Sequence, residues 1–117
     1  MDFQIVIDTR EQAEYSFACE TVRRKLDAGD YSVVGLEHRV AVERKSLSDF
    51  VHTVIHDAAR FAAELQKLAG MDAASVVVEA NLDDVLRGRH GDVLRSVDPQ
   101  AVLGAALHIA LHWRVPV

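Results

Sequence analysis

The residues best suited to do chemistry lie in one stretch, where the apolar run Val40-Ala41-Val42 passes into Glu43-Arg44-Lys45. If this stretch is extended, alternation turns Glu43 and Lys45 to one face and Arg44 to the other. A carboxylate and an ammonium then share a site. Twelve residues separate Glu43 from Asp30, which follows Gly29 in the run Asp27-Ala28-Gly29-Asp30, and a hairpin across that interval folds Asp30 back beside Glu43. Two facing carboxylates repel unless a cation lies between them, and hard oxygen donors in small number suit Mg²⁺. Lys45 is then placed to orient or polarise a water against a phosphodiester, while a bound ion lowers that water's pKa. The chemistry these types support is hydrolytic.

Positioning them requires a sheet. Phe3 to Asp8 reads as a buried strand closed by an acid, Glu20 to Leu26 as a more exposed strand, and Tyr31 to Val34 with Arg39 to Lys45 as a hairpin through Gly35. From Ser46 the period becomes helical. Leu47, Phe50, Val51, Val54 and Ile55 share one face, and Phe61, Leu65 and Leu68 continue it beyond Asp57, giving two short helices or one kinked helix. Ser75 to Glu79 is β-branched and reads as a central strand. A brief helix follows over Leu82 to Arg87, then a loop with Gly88 and Gly91. Asp98 before Pro99 marks the start of a helix running to about His112 or Trp113, with Val115 to Val117 opening a further strand. The order predicts a mixed α/β fold with a central sheet.

The composition is that of one globular domain: 117 residues, half of them apolar and 26% charged. No apolar run approaches the roughly 20 residues of a bilayer span. No secretory leader is visible, and the single cysteine, Cys19, fits a reducing compartment, so the expected location is the cytoplasm and no membrane is expected among its partners. A net charge of −5 argues against a general electrostatic grip on nucleic acid, so a nucleic-acid substrate would need local basic clusters, metal ions or a second subunit. Arg23-Arg24-Lys25 and the set Arg87, Arg89, His90 and Arg95 are candidate clusters, with solvated faces as the competing reading. The pairs His52/His56 and His108/His112 have helical i,i+4 spacing but lack an HExxH glutamate and a third ligand, which argues against zinc.

A set of ordered motifs carries a family resemblance. Ile7-Asp8-Thr9-Arg10-Glu11, then Gly29-Asp30-Tyr31, then Val42-Glu43-Arg44-Lys45-Ser46-Leu47-Ser48-Asp49 resemble the GD, ERK, three residues, D signature of XPF-type structure-specific endonucleases, a branch of the PD-(D/E)XK superfamily. Arg60-Phe61-Ala62-Ala63-Glu64-Leu65 and Val77-Val78-Glu79 are similar to that family's RF-helix and following strand. The resemblance implies a restriction-endonuclease-like central mixed β-sheet flanked by α-helices, with residues 1–117 as a single nuclease domain, and the sequence departs from the family pattern in that no helix-hairpin-helix module is expected in it. It implies a Mg²⁺-dependent DNA endonuclease, with Mn²⁺ able to substitute, acting on branched DNA or single/double-strand junctions in repair or recombination.

The same resemblance makes Asp30 and Glu43 the principal metal ligands and Asp8 a nearby carboxylate that binds metal through water or a second ion. Lys45 serves the attacking water. Arg10 and Arg44 support the site or contact phosphate, with Arg10 and Arg60 as substrate contacts, and Asp49 is the motif's last acid. Competing readings stand beside several of these. Ser46-x-x-Asp49 is also a capping box, Arg60 and Glu64 have the spacing of a surface ion pair, and Glu79 reads first as a plain strand end, with a role at the site as the lesser reading. Nuclease domains of that family pair, and the last helix is apolar around most of its circumference, with Ala101, Val102, Ala105, Ile109 and Trp113 on one stripe and Leu103, Leu107 and Leu111 beside it. A homodimer or partner protein is therefore expected. The alternative function is a non-catalytic DNA-binding or scaffolding domain of the same fold, acting with a partner subunit.

Overall fold

A computed structural model describes residues 2–91 and 96–117. Its sheet contains β1 (Ile5–Ile7), β2 (Thr21–Arg23), β3 (Tyr31–Val33), β4 (Val40–Ser46) and β5 (Ala73–Glu79) in the spatial order β2-β1-β3-β4-β5. The outer pairs β1·β2 and β4·β5 are parallel, whereas β1·β3 and β3·β4 are antiparallel. This is a mixed sheet of the restriction-endonuclease-like kind, as expected, although the first two strands are shorter than the alternation suggests. Long connections separate the strands of both parallel pairs, and β3–β4 is the pair of consecutive strands that forms a hairpin.

Helices α1 (Leu47–His56) and α2 (Ala58–Ala69) are separate, with the break at Asp57, whose amide still bonds to the Thr53 carbonyl. Their apolar stripes bury Leu47, Phe50 and Val51 on α1 and Phe61, Leu65 and Leu68 on α2. These pack with Ala28, Ala41 and Val76 and with Val102, Ile109 and Val115 further along the chain into one core. After β5 come α3 (Leu82–Leu86), started by a full capping box between Asn81 and Asp84, and α4 (Pro99–His108). The expected cap on α4 is present, with the Asp98 side chain accepting from the Gln100 amide. The last turn, Ile109–Trp113, is wound as a π-helix and stops at Arg114 in the left-handed region. Val115 to Val117 does not form the expected strand, but the chain still runs beside β5, where the Val76 amide donates to the Pro116 carbonyl. Among the described residues no helix is long and apolar enough to cross a membrane.

One turn decides where β3 begins. Gly29 has φ +79°, and a Cβ there would stand 3.0 Å from the Ala41 Cβ and 3.1 Å from the Val42 carbonyl oxygen. The 26–30 turn is thus pressed onto β4 at a point where only glycine fits. Gly29→Ala is expected to cost about 1–3 kcal/mol in urea unfolding, since it adds strain to a steric clash. Gly35→Ala, with φ +88° but open space around it, should cost less, and equal losses would remove the packing argument.

Candidate active site

Asp30 and Glu43 come together at the β3–β4 junction. The register between these strands sets Tyr31 opposite Val42, and the Asp30 amide donates to the Val42 carbonyl at 2.8 Å. The next amide along β4, that of Arg44, is taken by Asp30 Oδ2 at 2.7 Å. A side chain thus stands in for a ladder carbonyl, which fixes how the Asp30 carboxylate is turned. Burial and the neighbouring charges of Glu11 and Asp8 raise the Asp30 pKa against the pull of the Arg44 amide. Glu43 is affected more strongly. Burial first and the Asp30 charge second push it up to about 7, although Lys45 and Arg10 act the other way.

Lys45 shares the Glu43 face, as strand alternation requires, with its ammonium 5.3 Å from the centre of the Phe61 ring on α2. Arg44 lies on the other face. Its Nη1 donates to Glu11 Oε1 at 3.2 Å, its Nη2 reaches the Glu79 carboxylate at 3.0 Å, and its guanidinium stacks over Tyr15 at 4.9 Å. Glu79, and then Tyr15 and Glu11, raise its pKa, with burial opposing them. These partners bind the loop after β1 to the end of β5 through Arg44. In this arrangement its guanidinium is engaged with protein carboxylates and faces away from the Glu43 side.

Asp8 is 1% exposed. Its Oδ1 accepts from the Leu26 amide at 2.8 Å, and its Oδ2 accepts from the Arg10 amide at 3.1 Å and from Arg10 Nε at 2.7 Å. Burial alone would raise its pKa, but these donors together outweigh burial and hold it below the ordinary value. Arg10 remains largely exposed beyond that ion pair, and its Nη2 also donates to the Leu26 carbonyl at 3.3 Å.

The other sequence candidates divide. Asp49 is exposed at the start of α1, and its amide donates to Ser46 Oγ at 3.2 Å. The return bond from the Asp49 carboxylate is not made among the described residues, so the expected capping box is only half formed. Arg60 is exposed on α2 and does not pair with Glu64, which instead stands 3.8 Å from Lys67. Glu64 acts from α2 on the charges of both Glu43 and Arg10. Arg23 holds the carbonyls of Asp8, Thr9 and Glu11 and so serves the loop, whereas Arg24 and Lys25 are exposed. Arg87 and Arg89 pair with Asp83 and Asp84. His90 is fully buried, which takes it out of the proposed phosphate cluster, and Arg95 lies outside the described residues. Tyr15 carried no sequence signal because it sits in an irregular segment without period.

The two oxygen donors of Asp30 and Glu43 fit a hard divalent cation in chemistry: both resist ionisation where they stand, and a cation would relieve both. Among the described residues, however, no group of three or more His, Cys, Asp and Glu side chains is placed to hold a metal ion.

A five-stranded mixed sheet with acids gathered at the junction of its central hairpin defines a restriction-endonuclease-like domain. The ERCC4 domain model matches residues 7–117, and the chain belongs to that family. Two solved structures share the fold, XPF from Aeropyrum pernix and the same protein in complex with DNA. Each is 18% identical, with a TM-score of 0.73 over 97% of this chain and 54% of theirs. The chain therefore spans about half the length of the structures it matches. No curated protein sequence matches it.

The raised Glu43 pKa sets a pH dependence. The folded protein binds a proton at Glu43 between its ordinary 4.5 and about 7, so this group costs stability as pH rises through that window. Without metal, Glu43→Gln should melt with the wild type near pH 4.5 and above it near pH 8. A difference that does not change with pH would mean that Glu43 ionises normally.

Proposed function

We propose that this domain hydrolyses DNA phosphodiester bonds with a divalent cation, Mg²⁺ or Mn²⁺, held by Asp30 and Glu43. The observation that carries the reading is the juxtaposition of these two carboxylates, each driven toward its neutral form, with Lys45 on the same face as Glu43. When bound, the cation supplies charge stabilisation at the phosphate and acidifies water. Asp30 is kept oriented by the Arg44 amide, and Glu43 is desolvated beside it. Lys45 holds or orients the attacking water through its ammonium. Arg10 offers a largely exposed cation for a phosphate oxygen, and Arg60 on α2 offers a second. Membership of the ERCC4 domain family and the fold shared with a protein solved with DNA support DNA as the substrate, with branched or junction forms first.

A second reading has a specific observation in its favour. The lack of a three-ligand group among the described residues and the net charge of −5 fit a non-catalytic DNA-binding or scaffolding domain that works with a partner subunit. Exposed apolar surface on and just beyond α4, with Leu107 at 55% and Leu111 at 78% exposure, supports a docked neighbour under either reading, and a second copy of the chain is the proposed one.

Labelled single-stranded, duplex, flap and fork DNA incubated with Mg²⁺, Mn²⁺ or chelator separates the two readings. The nuclease reading expects metal-dependent cleavage that Asp30→Asn and Glu43→Gln abolish with loss of metal binding, while Lys45→Ala binds metal but cuts slowly. DNA binding without cleavage in either metal supports the scaffold instead. Sedimentation at micromolar concentration should give a dimer that Leu107→Glu with Leu111→Glu dissociates, and a strict monomer of the unsubstituted chain removes the pairing proposal.

A further inference from the structure

Asp8 was expected at the metal on the strength of its motif, yet its surroundings describe another task. Its backbone amide donates to the Asp30 carbonyl at 2.9 Å, while its Oδ1 accepts from the Leu26 amide at 2.8 Å. One residue therefore holds both ends of the Leu26–Asp30 turn. Between those two points Gly29 presses the same turn against Ala41 and Val42, so the position of Asp30 is bounded by Asp8 on one side and by β4 on the other. The remaining oxygen, Oδ2, is occupied twice by Arg10, through the amide at 3.1 Å and Nε at 2.7 Å. With three donors on two oxygens and 1% exposure, the carboxylate has little capacity left for a cation. Its charge is already balanced by a guanidinium.

We propose that Asp8 is a positioning residue that pins the turn carrying Asp30 and aims the Arg10 side chain, and that it does not coordinate the metal. This rests on the metal-dependent reading above. The assignment takes Asp8 out of the metal set that the motif implies. Asp30 keeps an oxygen, Oδ1, that no described hydrogen bond reaches and that would be free for a cation, whereas Asp8 acts through the backbone of its neighbours. Asparagine at position 8 retains an oxygen for the Leu26 amide but sets its NH2 group against the Arg10 amide and Nε, so both hydrogen bonds to Arg10 are lost, and alanine loses all three.

The test compares Asp8→Asn, Asp8→Ala and Asp30→Asn by two readouts that need no cleavage. These are Mn²⁺ affinity from electron paramagnetic resonance, and hydrogen exchange at the Leu26 amide in metal-free protein. Asp8→Asn should keep the Leu26 amide protected and bind Mn²⁺ within a few-fold of wild type. Asp8→Ala should expose that amide and weaken Mn²⁺ binding about 10–100-fold, the range of lost outer-shell support. Asp30→Asn should lose Mn²⁺ binding with the Leu26 amide still protected. The proposal is overturned if Asp8→Asn loses Mn²⁺ as fully as Asp30→Asn while its Leu26 amide stays protected, because the carboxylate is then a ligand. Should Asp8→Ala not fold, the asparagine variant alone still decides. A wild-type protein that binds no Mn²⁺ ends the metal reading and this proposal together, whereas Mn²⁺ binding left unchanged by both Asp8 variants ends this proposal alone.

Discussion

Repulsion between Asp30 and Glu43 is the constraint around which this domain is organised. Left to themselves, two carboxylates at a strand junction would turn outward to water and apart. Here one is fastened to the Arg44 amide and the other is set in a desolvated position on the helix-covered face. Keeping them together requires rigidity nearby, and the fold supplies it from several directions. The 26–30 turn is packed at van der Waals distance on β4, the loop after β1 is held through its carbonyls by Arg23, and α2 closes over Lys45 with Phe61. The strain implied by like charges is thus borne by the hydrophobic core behind them, where Phe50, Val51, Leu68 and Val76 leave almost no exposed surface.

The opposite face of β4 works by attraction. Arg44 sits between Glu11 and Glu79 with Tyr15 across its plane, and Tyr15 in turn stacks on Tyr31 with ring centres 5.4 Å apart. This cluster anchors an irregular segment that has no ladder of its own. One sheet therefore carries an electrostatically unfavourable face and a favourable face back to back, separated only by the thickness of a strand.

Much of this was legible in the sequence. The helix starts at Ser46 and Asp98, the break at Asp57, the apolar stripes of α1 and α2 and the opposed directions of Lys45 and Arg44 all follow from period and cap chemistry, which are local. What could not be read depends on contacts distant along the chain. Nothing near Asp8 announces that Leu26, eighteen positions on, supplies its donor. Nothing near Arg44 announces Glu11, Tyr15 or Glu79 as partners. The motif resemblance drew Asp8 toward the metal because it reports residue type and order, whereas the number of hydrogen bonds already satisfied at each oxygen is a property of the folded chain. His90 fails in the same way: Arg89 and Gly91 beside it are exposed, yet its own side chain is buried.

The parity of β4 also limits how this chain can change over evolutionary time. Because successive side chains on a strand alternate in direction, an insertion or deletion of one residue between Val42 and Glu43 would send Arg44 toward Asp30 and deliver Glu43 and Lys45 to the Tyr15 side. Both faces would fail at once, since the guanidinium would leave Glu11 and Glu79 unbalanced. Length variation in this strand is therefore tolerable only in steps of two, or in the turn around Gly35, where φ is +88° and a side chain would meet open space. In lineages descended from this chain, gains and losses of residues should accumulate at that turn while the segment from Val40 to Ser46 keeps its length.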